Sequence, residues 1–362
     1  MTSKNKFSSE FKIGKTTISS QGEPYFIADI GANHNGNLNK AIELINLAAN
    51  AGANAVKFQH FKADTIVSKY GFETLTDVKS HQKNWKKTVF EVYQDASINL
   101  DWTQSLMDEA KVAGVEFFTS PYSLDLVDYV DQYVSAYKVG SGDITWQDII
   151  DKMASKGKPI LLACGASTLD EVDRAIQQAL SHTGEIVIMQ CNTNYTASLE
   201  NFKYINLNVI KTFRTMYPTA ILGLSDHTPG HSTTLGAIAL GANVIEKHFT
   251  DNNNNEGPDH KFAMNPNSWN EMVERSKELY LSLGSSIKKV EDNEKDTVIV
   301  QRRSIRLRNE VKIGDILKAD NLECLRPSPE DSIAPYYLSE VIGKKSLENI
   351  PAGEYIKWHQ IK

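Results

Sequence analysis

The chain has 362 residues, 41% hydrophobic and 23% charged, a balance that excludes disorder over most of its length and provides for one large core with a smaller second unit. Its formal charge of −6 is spread out, and lysine pairs such as Lys86-Lys87 stand near acidic residues rather than in a stripe, which argues against nucleic-acid binding. Cys164, Cys191 and Cys324 fit neither a disulfide framework nor a zinc ribbon, no run reaches the roughly 18 apolar residues of a membrane helix, and the N-terminus has no apolar export segment, so a soluble, cytoplasmic protein is expected.

Residues 1–20 read as an N-terminal extension. Short, near-continuous apolar runs then recur at Tyr25–Gly31, Ala55–Gln59, Val115–Thr119, Ala136–Gly140, Pro159–Cys164, Ile186–Cys191, Ala220–Ser225 and Val244–His248. Such runs are the pattern of strands covered on both faces, hence of a parallel sheet. Segments of helical period separate them: Leu38, Ala41, Ile42, Ile45 and Ala49 mark one face before Gly52, and Thr168 with Glu171 forms a capping-box signature. The long gap at residues 60–114 holds Trp85, Phe90, Tyr93 and Trp102 and predicts an extra helix or two beside the barrel mouth, in the position of a lid. Eight strand-then-helix units favour an α/β fold of the closed (β/α)8 TIM-barrel type over 21–285, with a doubly wound open sheet as the alternative. A helix over Trp269–Leu283 ends this domain, polar residues 286–300 read as a linker, and 301–362 change to short β-type runs and turns, predicting a small β-rich domain.

In such a barrel the chemistry sits at the C-terminal ends of the strands. Lys57 and Lys138 lie inside apolar strands, where an unpaired ammonium is costly, so each requires an anion. With Ser120, Ser141 and the Gly140–Gly142 amides they form a candidate site for a phosphate and a carboxylate; the alternative is pairing with a buried carboxylate such as Asp29, Asp143 or Glu246. His227 and His248 end adjacent strands, a placement suited to one shared divalent cation, although a strand-end histidine often serves only as a hydrogen-bonding residue. The loop Asp251–His260 is rich in groups that bind hydroxyls, Cys164 has no catalytic partner in the sequence, and no nucleotide-binding fingerprint occurs.

Seven motifs in order, IADIGANHNGN, VKFQ, FFTSPY, YKVGSGD, GLSDHT, EKHFTDNNNNEGPDH and LRPSPED, make the chain resemble the sialic acid synthase family of phosphoenolpyruvate-dependent nonulosonate synthases, whose barrel precedes an antifreeze-like (SAF) domain. The resemblance implies that Lys57, Ser120, Lys138, Ser141 and Ser225 bind phosphoenolpyruvate and that His227 and His248 hold Mn2+ or Mg2+. It turns Gln59, Tyr195 and Asp259 toward an N-acyl amino sugar, with Asn192 and Thr193 beside Tyr195, and makes Arg326 reach the N-acyl group from the partner subunit of a swapped homodimer. Departures from the usual pattern are Asp29 and Asp143 in place of glutamates, Ala163-Cys164-Gly165 in place of Ser-Thr-Gly, and Gln190-Cys191-Asn192-Thr193-Asn194-Tyr195 in place of an HCT…YP pattern.

The implied reaction joins phosphoenolpyruvate, an open-chain N-acyl amino-sugar aldehyde and water into a nonulosonic acid and phosphate, with Asp29 first and Asp143 second as acid/base candidates and Lys57 and Lys138 fixing the phosphate ester. The acceptor is either N-acetylmannosamine or a deoxygenated diacetamido hexose. Two rival readings are a pyruvate lyase that forms a Schiff base on Lys57 or Lys138, and a non-catalytic glycan-binding protein.

Overall fold

The computed structural model describes residues 6–75 and 87–362; residues 1–5 of the extension, and Trp85 and Lys86, lie outside the described residues. The chain divides into two compact units that part between Gly284 and Ser285.

The first unit opens with an antiparallel hairpin, β1 (Glu10–Ile13) and β2 (Thr16–Ser19). Eight parallel strands follow, β3 (Tyr25–Asp29), β4 (Ala55–His60), β5 (Glu116–Pro121), β6 (Tyr137–Val139), β7 (Ile160–Ala163), β8 (Ile186–Cys191), β9 (Ile221–Asp226) and β10 (Val244–His248). Each pairs with its neighbour in sequence, and β10 pairs back onto β3 through Val244 with Tyr25 to His248 with Asp29, which closes the barrel. All eight apolar runs in the sequence are these strands, and their continuity has the expected cause, since helices cover the outside while side chains fill the inside.

Helix α1 (Leu38–Asn50) is capped by the Asn37 side chain and buries Ala41, Leu44, Ile45 and Ala48. The gap between β4 and β5 carries α2 (Ala63–Ile66), α3 (Lys69–Thr74), α4 (Val89–Ala96) and α5 (Thr103–Ala113). Helices α6 (Leu124–Val130), α7 (Gln147–Ala154), α8 (Leu169–Leu180), α9 (Val209–Met216), α10 (Ser232–Ala239) and α11 (Pro266–Leu283) follow β5 to β10 in turn. Thr168 and Glu171 form the capping box that starts α8, whose buried face is Val172, Ala175, Ile176 and Ala179.

The hairpin lies across the N-terminal opening of the barrel. The Ser8 amide donates to the Gly184 carbonyl just before β8, the Lys15 amide donates to Glu116 at the start of β5, and Phe11, Ile13 and Ile18 are buried in the barrel core. The sequence marks 1–20 only as an extension, because a pair of four-residue strands gives too short a pattern to place.

The second unit carries its own core of Ile305, Leu307, Val311, Leu317, Leu322 and neighbouring aliphatics. Within the polar stretch 286–300 it begins a helix, α12 (Lys295–Gln301), then pairs β11 (Ser304–Leu307) with β12 (Leu322–Leu325) and adds the single turn α13 (Leu338–Val341). Among the described residues no helix is long and apolar enough to cross a membrane.

Candidate active site

The strand ends converge on a cavity of about 370 Å3 in the first unit. Four buried charges form its floor. Lys57 on β4 stands in register with Asp29 on β3, and its ammonium lies 2.8 Å from Asp29 Oδ2. Lys138 on β6 donates across the barrel to Glu246 Oε1 on β10, 3.0 Å away, where the Ser225 hydroxyl also donates at 3.2 Å. Lys57 stands 4.0 Å from that same Glu246 oxygen. Both lysines therefore have the buried carboxylate partners that the sequence left as an alternative, Asp29 and Glu246. Asp143 pairs with no lysine among the described residues.

The floor is balanced in charge but incomplete in hydrogen bonding. Glu246 Oε2, Ser120 Oγ and His248 Nδ1 are buried without a hydrogen-bond partner, and all three residues line the cavity. An unsatisfied buried polar atom costs about 1–3 kcal/mol, so three around one void mark where a polar ligand would complete the site. Ser141 Oγ accepts from the Gly165 amide at 3.0 Å; a Cβ on Gly165 would stand 2.7 Å from the Thr193 methyl and 2.9 Å from Ser141 Oγ, so this turn requires glycine.

The two acidic candidates differ in their surroundings. Burial opposes ionisation of Asp29, but the ammonium of Lys57 and the neighbouring His248 outweigh it and hold the carboxyl down at about 2. Asp29 Oδ1 also accepts from the Gly31 amide at 3.0 Å. Asp143 has only burial, which pushes it up to about 6. Of the pair, Asp143 is the one whose carboxyl burial shifts toward neutrality, while Asp29 is held ionised by its cationic neighbours. A carboxyl raised on folding from 3.8 to about 6 favours the folded state while protonated, and its contribution falls as pH climbs through that window. Asp143→Asn is accordingly expected to be more stable than the natural chain at pH 7.5, by on the order of 2 kcal/mol, and equal to it at pH 3.5. Denaturant titrations at both values check this, and an equal gap at the two would contradict it.

His227 and His248 face each other with ring centroids 5.4 Å apart. The His227 Nδ1–H donates to the Asn192 carbonyl at 2.8 Å, which puts the ring's lone pair on Nε2, and the ring also hydrogen-bonds the Cys191 thiol, whose ionisation it favours. His248 stands 3.4 Å from Asp29 through Nε2 and 3.5 Å from Asp259 through Nδ1. Tyr195 packs edge-on against His227 at 4.4 Å, and Phe262 touches both rings at 5.8 and 5.0 Å. No group of three or more His, Cys, Asp or Glu side chains is arranged to hold an ion among the described residues. The donor set that fits a divalent cation is thus the two imidazoles, with the Cys191 thiol beside His227 and the Asp29 and Asp259 carboxylates beside His248.

Of the residues singled out in the sequence, Asp29, Lys57, Gln59, Ser120, Lys138, Ser141, Asp143, Tyr195, Ser225, His227, His248 and Asp259 all line this cavity. Asn192 and Thr193 do not: the Asn192 side chain donates to the Tyr204 carbonyl within its own loop and accepts from the Asn194 amide, and the Thr193 methyl packs beside Gly165. Arg326 lies exposed in the second unit, just after β12. Cys164 is buried outside the cavity lining, its thiol pushed up by burial. Glu246, named in the sequence only as a possible lysine partner and not among the substrate or catalytic candidates, approaches both lysines. Also unforeseen is an apolar wall of Phe61, Ile66, Val92 and Ala96, contributed by the end of β4, α2 and α4.

Residues 44–288 match the NeuB family and residues 302–362 match the SAF domain. The chain is 33% identical to the N,N'-diacetyllegionaminic acid synthase of Legionella pneumophila, over 93% of this chain and 94% of that protein. It is 31% identical to the protein of the same name from Campylobacter jejuni, over 91% and 98%. Among solved structures, the spore coat polysaccharide biosynthesis protein spsE of Bacillus subtilis superimposes with a TM-score of 0.64 at 29% identity, covering 98% of this chain and 99% of that one. The closed barrel, the C-terminal unit and these full-length likenesses together make the chain a member of the NeuB family of nonulosonic acid synthases, with a SAF domain at its C-terminal end.

Proposed function

We propose that this protein condenses phosphoenolpyruvate with an open-chain N-acyl amino-sugar aldehyde and water, giving a nonulosonic acid and inorganic phosphate. The observation that carries the reading is the pair of buried ammonium groups, Lys57 and Lys138, meeting from separate strands beside the orphaned Ser120 hydroxyl in a cavity that also presents two imidazoles. Lys57, Lys138, Ser120 and Ser141 bind the phosphate and carboxylate of phosphoenolpyruvate and fix its alkene carbon toward the aldehyde. His227 and His248 would hold Mn2+ or Mg2+, which supplies polarisation of the aldehyde oxygen when bound. The alkene carbon forms the new bond to the aldehyde carbon, water adds to the adjacent carbon, and phosphate departs with its ester oxygen by carbon–oxygen cleavage. Asp143 takes the proton of that water or returns one to the sugar oxygen, while Asp29, ionised throughout, keeps Lys57 charged and oriented. Phosphate release from phosphoenolpyruvate that depends on both aldehyde and divalent metal tests the reading; its absence across an aldose panel would leave a binding protein.

A Schiff base on Lys57 is disfavoured by the carboxylates around it. Burial alone would lower the Lys57 ammonium, but Asp29 and Glu246 raise it above its ordinary range, and an imine-forming lysine needs the neutral amine. Borohydride with pyruvate is expected to trap no adduct.

The apolar wall supports the deoxygenated diacetamido hexose as acceptor over N-acetylmannosamine. Ile66, Val92 and Ala96 offer no hydrogen-bonding group of their side chains to a hydroxyl, whereas a methyl or the methyl of an acetamido group packs on them, with Tyr93 and Tyr122 alongside for its polar atoms. A preference of about 10- to 100-fold in kcat/KM for the deoxygenated acceptor is expected. Val92→Thr is expected to narrow it, and equal turnover of both sugars by the natural chain would discard this assignment. From the family resemblance we also assign Arg326 to the N-acyl group across a swapped homodimer. Mixing an Arg326→Ala chain with a Lys57→Met chain should then restore part of the activity, and verified mixed dimers without any would remove the arginine from the site.

A further inference from the structure

The barrel wall behind the two imidazoles holds a second pair of charges that the reaction above does not use. Lys247 stands between Glu246 and His248 on β10, and Asp226 between Ser225 and His227 at the end of β9. The four flanking residues line the cavity. Successive side chains of a strand point to opposite faces, so Lys247 and Asp226 point away from it, toward α10, and both are buried. There the Lys247 ammonium bonds Asp226 Oδ2 and, at 2.7 Å, the Thr228 carbonyl. The hydroxyls of Thr228 and of Thr233 on α10 donate to the same Asp226 oxygen at 2.7 and 2.6 Å, and the Thr228 amide donates to Oδ1 at 3.3 Å. Residues 247 and 226 are direct partners in the β10–β9 register.

Neither charge reaches the cavity, and a buried ion pair is an inefficient source of stability, because a well-packed apolar pair of similar volume is often neutral or more stable. Such a pair does supply register. An ammonium with two fixed acceptors, and a carboxylate with fixed donors from β10, α10 and the turn after β9, permit little sliding of one strand past the other. Each imidazole follows one member of the pair by a single residue. Fixing 226 against 247 therefore fixes His227 against His248, and the bond to the Thr228 carbonyl fixes the turn that carries His227. On the cavity side, Phe262 and the Asn192 carbonyl complete the restraint.

We propose that Asp226 and Lys247 form a latch in the barrel wall that positions His227 against His248 for a shared divalent cation, both acting as positioning residues. The inference rests on the proposed role of the imidazoles, and the test keeps the two apart. In the full-length double variant Asp226→Leu/Lys247→Met no charge is left unpaired, so the protein is expected to fold and melt within about 5 °C of the natural chain. Without substrates, its affinity for Mn2+ by calorimetric titration should fall about 10- to 100-fold. In metal-free protein, nitrogen-15 shifts should report one Nδ1–H tautomer of His227 in the natural chain and a mixture in the variant. A variant that binds Mn2+ equally and keeps the single tautomer overturns the latch. Should the natural chain bind no Mn2+, the metal reading fails, and the His227 tautomer alone decides: a mixture in the variant supports the latch, and an unchanged ring overturns it. Should the double variant not fold, Thr233→Val removes one donor to Asp226 while keeping both charges. A several-fold loss of Mn2+ affinity, or in its absence a mixed His227 tautomer, then supports the latch, and no change in either overturns it.

Discussion

Lys138→Met is expected to raise the KM for phosphoenolpyruvate by about two powers of ten, equivalent to about 3 kcal/mol, while the KM for the amino sugar changes by no more than a few-fold. The ammonium crosses the barrel to Glu246 and stands in the same cavity as Ser120 and Ser141, so it is the cation an incoming phosphate would meet at the floor. Its loss also takes from Glu246 its nearer cation, leaving the Ser225 hydroxyl and Lys57 at 4.0 Å, and breaking a buried pair costs up to about 3–5 kcal/mol of stability. The single variant therefore mixes two effects. The double variant Lys138→Met/Glu246→Gln separates them: it should recover most of the stability, measured by denaturant titration, and recover none of the affinity for phosphoenolpyruvate. If the double variant regained the natural KM, the lysine would serve the fold and not the substrate. Lys57→Met paired with Asp29→Asn makes the same comparison on the neighbouring strands.

His227→Ala is expected to lower kcat by about 10²–10³, the scale on which removing one preorganised electrostatic contact slows acyl and carbonyl chemistry. The ring is buried among Tyr195, His248 and Phe262, so its removal should also lower the melting temperature, and kcat is to be compared at a temperature where both chains are folded. Dialysis against a chelator should reproduce the loss in the natural protein, with activity returning on addition of Mn2+ or Mg2+ and with no return in the variant. Full turnover in excess chelator would remove the cation from the reaction. Because His248 makes the facing contact with Asp29 and Asp259, His248→Ala should match His227→Ala in kcat but also alter the environment of Asp29.

The barrel was legible because its signal is physical redundancy: eight buried strands must each be apolar on both faces, and runs such as Ile160–Ala163 or Ile186–Cys191 can be little else. Lys57 and Lys138 stood out against that background. Glu246 entered only as one of three possible lysine partners, because it occurs in a row of three polar residues, Glu246-Lys247-His248, and only the closed wall shows that the first and third face the cavity and the second faces α10. Ile66, Val92 and Ala96 belong to short helices without a motif and acquire meaning only from the void they enclose. The sequence placed Asp29 and Asp143 alike at strand ends near a lysine; their proton affinities depend on which of the two a lysine touches in three dimensions, and among the described residues Lys57 pairs with Asp29 and no lysine with Asp143.

The packed interior of the barrel, with the hairpin across its N-terminal end, closes the cavity from below and leaves the strand ends as its mouth. On the proposed function, the molecule seated on the lysines at the floor must enter before the one that lies above it, and whatever remains at the floor after reaction leaves last. The order of binding and release expected on that reading is phosphoenolpyruvate before the amino sugar and the sugar acid before phosphate. Phosphate should then compete with phosphoenolpyruvate for the free enzyme, and a sugar analogue should inhibit only once the lower seat is filled.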